Sequence, residues 1–258
     1  MRPLTTLFAL AALIAAAPAI GDQMIQGIDQ GTFIIRSHGK VIGAENFEIE
    51  ARAESLNCMA RSHHTRITDK GEEQVEKFVV LSFGRFDWAL RFYQSEETFR
   101  GETLVRGLVL DPADTALTVY RERKGGGGEA NRLSAPPGRT FVLDSGLYSL
   151  FDLICIYLHG QTFTTRPLNV LTFGQRDTVV EAQVTDLGTE TIRWGARPVV
   201  ARKLEFRQGP TLFQAWVDPR GRMLRLEHVP SGLRVDRDPP AVKKRASPTP
   251  APAPKPGG

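Results

Sequence analysis

Residues 201–229 read ARKLEFRQGPTLFQAWVDPRGRMLRLEHV, three runs of alternating apolar and polar side chains separated by two turn signals. Leu204, Phe206, Leu212, Trp216, Leu224 and Leu226 mark one apolar set, and Lys203, Glu205, Arg207, Arg225 and Glu227 the polar one. Successive side chains of a strand point to opposite faces, so alternation with period two marks strands buried on one side. Gln208-Gly209-Pro210 breaks the first pair, and Asp218-Pro219-Arg220-Gly221 supplies a turn with proline second and glycine fourth. The stretch predicts a β-meander, and with it a mainly β fold.

Residues 31–51, GTFIIRSHGKVIGAENFEIEA, predict a second meander. Phe33 and Ile35 run into a turn at Ser37-His38-Gly39-Lys40, and Phe47, Ile49 and Ala51 return; Gly43 marks a bulge or a close backbone approach. Further strands are expected over 75–83, 87–94, 103–110, 116–123, 161–173, 178–185, 190–194 and 199–208, with Leu187-Gly188-Thr189 as a tight turn. Residues 124–138, KGGGGEANRLSAPPG, predict a loop; no Lys-Ser or Lys-Thr pair follows the glycines as a phosphate loop requires. One helix is expected over 145–159, capped by Asp144-Ser145, closed by Gly160, and apolar enough to lie deep through Leu147, Leu150, Phe151, Ile154 and Leu158.

The ends have other compositions. Residues 1–19 carry one charge, Arg2, then an apolar run and Ala17-Pro18-Ala19, as in a cleaved secretory signal; the run is too short for a bilayer span. Residues 241–258, AVKKRASPTPAPAPKPGG, hold too little apolar surface to fold, which predicts a disordered tail. Residues 20–240 are left as a single β domain in a periplasmic or secreted protein without a transmembrane anchor. Five of the 33 basic residues lie in leader and tail, so the body is near neutral against its 29 acidic residues and lacks the basic surface of a nucleic-acid binder. In an exported chain Cys58 and Cys155 close one disulfide or stay as buried thiols; both readings stand.

Motifs for catalysis and metal binding are missing: there is no GxSxG, HExxH, paired CxxC or GxGxxG. His63-His64 reads as a surface turn, His159 as a helix C-terminal cation, and His228 as a hydrogen-bonded inner-face residue. Asp152, Glu181 and His228 are the residues a hydrolase would need to converge, and Asp152 is expected at solvent or paired with an arginine. No metal, cofactor or catalytic residue is expected, and the protein reads as a non-enzyme.

The two meanders, the leader and the single helix before the last strands resemble the exported β proteins grouped around the lipoprotein carriers LolA and LolB. FQAWVDPRGRMLRLEHV looks like their final hairpin and GTFIIRSHGKVIGAENFEI like their opening one. The resemblance implies a curved antiparallel sheet or incompletely closed barrel, with one buried α-helix on its concave side and room for an apolar ligand such as a lipid. Trp88, Phe92, Leu150, Phe151, Ile154, Trp194 and Trp216 are the candidate ligand-binding residues, with Trp216, Leu224 and Leu226 as one wall around the helix. The alternative is an envelope interaction module whose Pro-rich tail reaches another protein.

Overall fold

The computed structural model describes residues 25–239 except 69–70, 111–115, 135 and 175. The expected leader at 1–19 and tail at 241–258 lie outside the described residues. Within them, fifteen strands form one sheet, not closed into a barrel, with a single α-helix. In chain order the strands are β1 Gln26–Ser37, β2 Lys40–Ala51, β3 Ser55–Thr68, β4 Gly71–Gly84, β5 Leu90–Phe99, β6 Glu102–Leu110, β7 Ala116–Arg123, β8 Gly128–Ser134 and β9 Thr140–Leu143. Helix α1, Ser149–Leu158, follows, then β10 Thr165–Thr172, β11 Thr178–Trp194, β12 Arg197–Gln208, β13 Thr211–Val217, β14 Met223–His228 and β15 Leu233–Arg237.

The spatial order runs from β8 down to β1, then β15 down to β9. The chain therefore makes two runs of neighbouring strands zipped along β1 and β15, where Phe33 pairs with Arg237 and Ser37 with Leu233. The two meanders legible in the sequence lie beside this central seam rather than at the sheet's ends. Its edges are β8 and β9, consecutive in the chain. All pairings are antiparallel except β9 with β10. Parallel neighbours need a crossover, and α1 is that crossover.

Register decides which side chains reach the core. Gln208 pairs with Thr211 across the two-residue turn Gly209-Pro210, so even-numbered residues of β12 lie opposite odd-numbered residues of β13. Leu204 faces Ala215, Phe206 faces Phe213, and Leu226 of β14 joins them opposite Ala215. Trp216 pairs with Lys203 and Arg225 and falls on the other face, which corrects the expected wall of Trp216, Leu224 and Leu226. A register shift next to Trp216 sends Leu224 to that outer face, where both pack with Ile192 and Ala201. Leu226 alone belongs to the main core.

In the first hairpin the turn residues His38 and Gly39 both take positive φ, the arrangement that two-residue hairpin turns favour. A bulge then restores common parity, because Ile35 pairs with Gly43 and Arg36 with Val41, leaving Ile42 unmatched. Gly43 is needed for close approach: a Cβ there would lie 2.3 Å from the His63 carbonyl oxygen and 2.5 Å from the His64 Cα, on backbone that cannot swing away. Gly43→Ala is expected to cost about 1–3 kcal/mol as overpacking between β2 and β3, measured by chemical denaturation.

Several expectations are corrected. Residues 55–68 form a long strand, so His63-His64 sits mid-strand and not in a turn. The glycine-rich loop contains edge strand β8. The segments 178–185 and 190–194 are one strand, irregular at Asp186 to Thr189. Both cysteines are free, buried thiols.

The sheet curls so that its two halves meet across the interior without closing. Tyr93 of β5 stacks on Phe173 just after β10, ring centroids 5.0 Å apart, and Phe83 of β4 packs on Phe141 of β9 at 5.6 Å. Arg121 of β7 reaches the loop before β11, donating through Nε to Asp177 at 3.0 Å and through Nη2 to the Gly174 carbonyl at 2.8 Å. Helix α1 is buried at every position but Ile156, and its Phe151 sits edge-on to Phe206 of the sheet.

Candidate functional site

The seven residues proposed from sequence do not form one pocket. Leu150, Phe151 and Ile154 are buried in the main core under the sheet. The space Phe151 and Ile154 share with Leu168, Val170, Ala182, Phe206 and Phe213 amounts to about 10 Å³, room for one water at most. That space between helix and sheet is therefore filled. Trp88 turns its ring inward against Phe83, Phe141 and Tyr157, held by a backbone φ of 55°. Phe92 lies on the outside of β5, 39% exposed. Trp194 and Trp216 belong to the separate outer-face cluster. Trp216 is only 4% exposed because Lys203 and Arg225 cover its ring at 4.7 and 5.6 Å, and its indole N–H donates to Glu190 at 3.1 Å.

Open space with mostly apolar walls lies instead at the unclosed side of the sheet. A groove of about 560 Å³ runs between the start of β5, the end of β6 and the start of β7 on one side, and the segment leading into β9 on the other. Leu90, Leu110, Ala116, Leu117, Pro136 and Pro137 line it, with Asp87, Arg139 and Thr140 as its polar members. Arg139 is fixed there by donating to the Asp87 carbonyl at 2.6 Å and to the Tyr157 hydroxyl at 3.2 Å. A concave apolar cleft of this size with a few placed polar groups suits a small amphipathic ligand. Two other depressions, of about 390 and 660 Å³, are lined largely by glycines and charged side chains.

Sequence patterning missed two buried polar networks. The first surrounds Lys77, whose Nζ lies 2.6 Å from Asp144, 3.1 Å from the Ser145 carbonyl oxygen and 3.3 Å from Glu97. Tyr93 donates to the other Asp144 oxygen at 2.5 Å, and Arg66 holds Glu97 at 2.8 Å. Beside it, His64 shares a hydrogen bond with Ser62, Nδ1 to Oγ 3.0 Å. Burial, helped by the nearby Arg66 and Lys77 charges, pushes the His64 imidazole down to about 4.

Glu45 continues the polar tract to the helix. Its carboxylate oxygens accept the Tyr148 and Ser149 N–H groups at 2.5 and 3.0 Å. The first N–H groups of a helix have no partner within it, and an anion there also meets the positive end of the helix dipole. The cap comes from β2, more than a hundred residues away in sequence, and replaces the expected Asp144-Ser145 cap; no side chain of the helix's own leading residues caps it. Burial still raises Glu45 to about 7 against the lowering effect of these hydrogen bonds.

The second network ties the helix to the sheet's central seam. Arg237 of β15 clamps Asp29 with Nη1 and Nη2 at 3.0 and 2.6 Å and reaches Asp152 of α1 at 2.8 Å. Asp152 also accepts the Met223 N–H at 2.5 Å. The expected arginine partner of Asp152 is thus Arg237, but the pair is sealed from solvent. Glu181 faces solvent on β11, and His228 lies against Phe213 with its Nδ1 on Ser231, so these two and Asp152 occupy three different settings.

Among the described residues no helix is long and apolar enough to cross a membrane, and no His, Cys, Asp and Glu side chains gather as a metal site. No family model, curated protein or solved structure matches the chain.

Proposed function

We propose that this is an exported, non-enzymatic binding protein that takes an apolar or amphipathic ligand such as a lipid into the groove at the open side of its sheet. The observation supporting this is the groove itself, about 560 Å³ with Leu90, Leu110 and Leu117 in its wall, while the space under α1 is filled. Binding works by burial: each acyl methylene withdrawn from water contributes about 0.8 kcal/mol, so a short length of chain suffices without specific polar contacts. The site proposed from the helix stripe and the tryptophans moves accordingly to a different set of residues, Leu90, Leu110, Ala116 and Leu117 among them.

Native mass spectrometry of the purified protein, before and after incubation with phospholipid or free fatty acid, tests it. The wild type is expected to carry lipid, and Leu110→Arg to weaken binding about tenfold or more, since a charge in the apolar wall readily costs the 1.4 kcal/mol that a factor of ten represents. A wild type with neither co-purifying nor added lipid overturns this reading. The alternative, an envelope interaction module working through residues 241–258, would then take its place.

A further inference from the structure

We propose that Lys77 and Asp144 form an intramolecular isopeptide bond, a covalent cross-link between strand β4 and the segment joining β9 to α1. The inference is independent of the lipid reading, since neither residue lines the groove.

Three groups meet as such a reaction requires. The amine donor, Lys77, is 0% exposed and its Nζ touches Asp144 Oδ1 at 2.6 Å. A second carboxylate, Glu97 on the neighbouring strand β5, lies 3.3 Å from the same Nζ and can relay protons. The far oxygen of Asp144 faces two donors, the Tyr93 hydroxyl at 2.5 Å and the Ser95 hydroxyl at 3.4 Å, placed to stabilise charge that develops there. Burial and the Asp144 charge hold the Tyr93 phenol well above its ordinary value, so it stays a donor. Burial acts to raise Glu97, yet Lys77 and Arg66 leave it below the ordinary range, so it meets the amine in its ionised form.

In water an ammonium and a carboxylate do not condense, because hydration holds both in their charged forms, the ammonium without a lone pair and the carboxylate a poor electrophile. Here hydration is stripped from both, the reacting groups are held in contact, and the neutral product removes two buried charges. The steps balance. The ammonium passes a proton to the Asp144 carboxylate, giving a neutral amine and a neutral acid. Nζ attacks Cγ, and the oxyanion on Oδ2 is held by Tyr93 and Ser95. Glu97 takes the second proton from Nζ and returns it to the departing Oδ1 hydroxyl. One C–N bond forms, one C–O bond breaks and one water leaves, with no oxidant or cofactor.

The intact mass of the full chain under denaturing, reducing conditions tests this directly. With the N-terminus established by sequencing, most folded chains are expected to be lighter by one water than their residues require. Tandem mass spectrometry of a tryptic digest should find a branched peptide joining Lys77 to Asp144 and no cleavage after Lys77. Glu97→Gln, which keeps side-chain size, should return the full mass while remaining folded by circular dichroism. A wild type at full mass, cleaved normally after Lys77, overturns the proposal, as does a branch to Glu97 instead of Asp144.

Discussion

Replacing Arg237 with alanine is expected to cost about 3–5 kcal/mol of folding free energy, the usual consequence of breaking a buried ion pair by removing one partner. Arg237 is 3% exposed and joins three parts of the protein. It clamps Asp29 on β1, reaches Asp152 on α1, and donates through Nε to the Met223 carbonyl at 2.8 Å. Its guanidinium also lies 5.2 and 5.0 Å from the ring centroids of Phe33 and Phe47. Burial already pushes the Asp152 carboxyl upward against the pull of Arg237, and Asp29 pushes the same way. Without the arginine two carboxylates face each other in a site closed to water. Arg36→Ala provides the comparison: Arg36 pairs with Asp236 at 3.0 Å near the surface, and Asp236 keeps Arg225 and Arg234. That change is expected to cost less than about 1 kcal/mol. Urea unfolding of both variants under one condition checks the contrast, and equal losses would contradict it.

The second large effect is a pair of opposing pH dependences. Glu45 has a folded value of about 7 against an ordinary 4.5, so between these the folded protein keeps a proton that the unfolded chain has released. Its contribution is present below 4.5 and is lost as pH rises toward 7. His64 lies at about 4 against 6.5, so on acidification the unfolded chain takes up the proton first. Its contribution is present above 6.5 and is lost as pH falls toward 4. At about 1.4 kcal/mol per pH unit each window is worth about 3 kcal/mol, and the two nearly cancel where they overlap. Relative to wild type, Glu45→Gln should therefore unmask stability that climbs with pH up to 6.5. His64→Gln should unmask stability that declines as pH rises from 4.5 to 7. Chemical denaturation across this range measures both, and profiles parallel to wild type would show that neither group titrates in this way.

These buried polar groups also explain where the sequence stopped being readable. Along β3 the inward positions are Leu56, Cys58, Ala60, Ser62 and His64, so the apolar alternation fades halfway and the strand reads as a turn. The same polar end continues through Lys77 on β4 and Ser95 and Glu97 on β5. Patterning assumes that inward means apolar, and it fails where inward side chains are paired charges. Glu45 could not be recognised as a helix cap, because its partners at Tyr148 and Ser149 are set by folding and not by spacing. The groove likewise draws its walls from β5, β6, β7 and the approach to β9, segments with no common signature.

What the sequence determined by itself was local: a mainly β protein, hairpins at 31–51 and 201–229, and one apolar helix closed by Gly160. Each depends on side-chain period, turn residues or a terminator that neighbours in the chain supply. Tertiary structure decided the rest. Pairing of β1 with β15 put the first and last strands of the described residues at the centre of the sheet and left its edges between them in sequence. A two-residue turn and a register shift put Trp216 outside and Leu226 inside, although both sit in the same apolar pattern. Which face is buried depends on how strands register with one another, and register is a property of pairs that period alone does not carry.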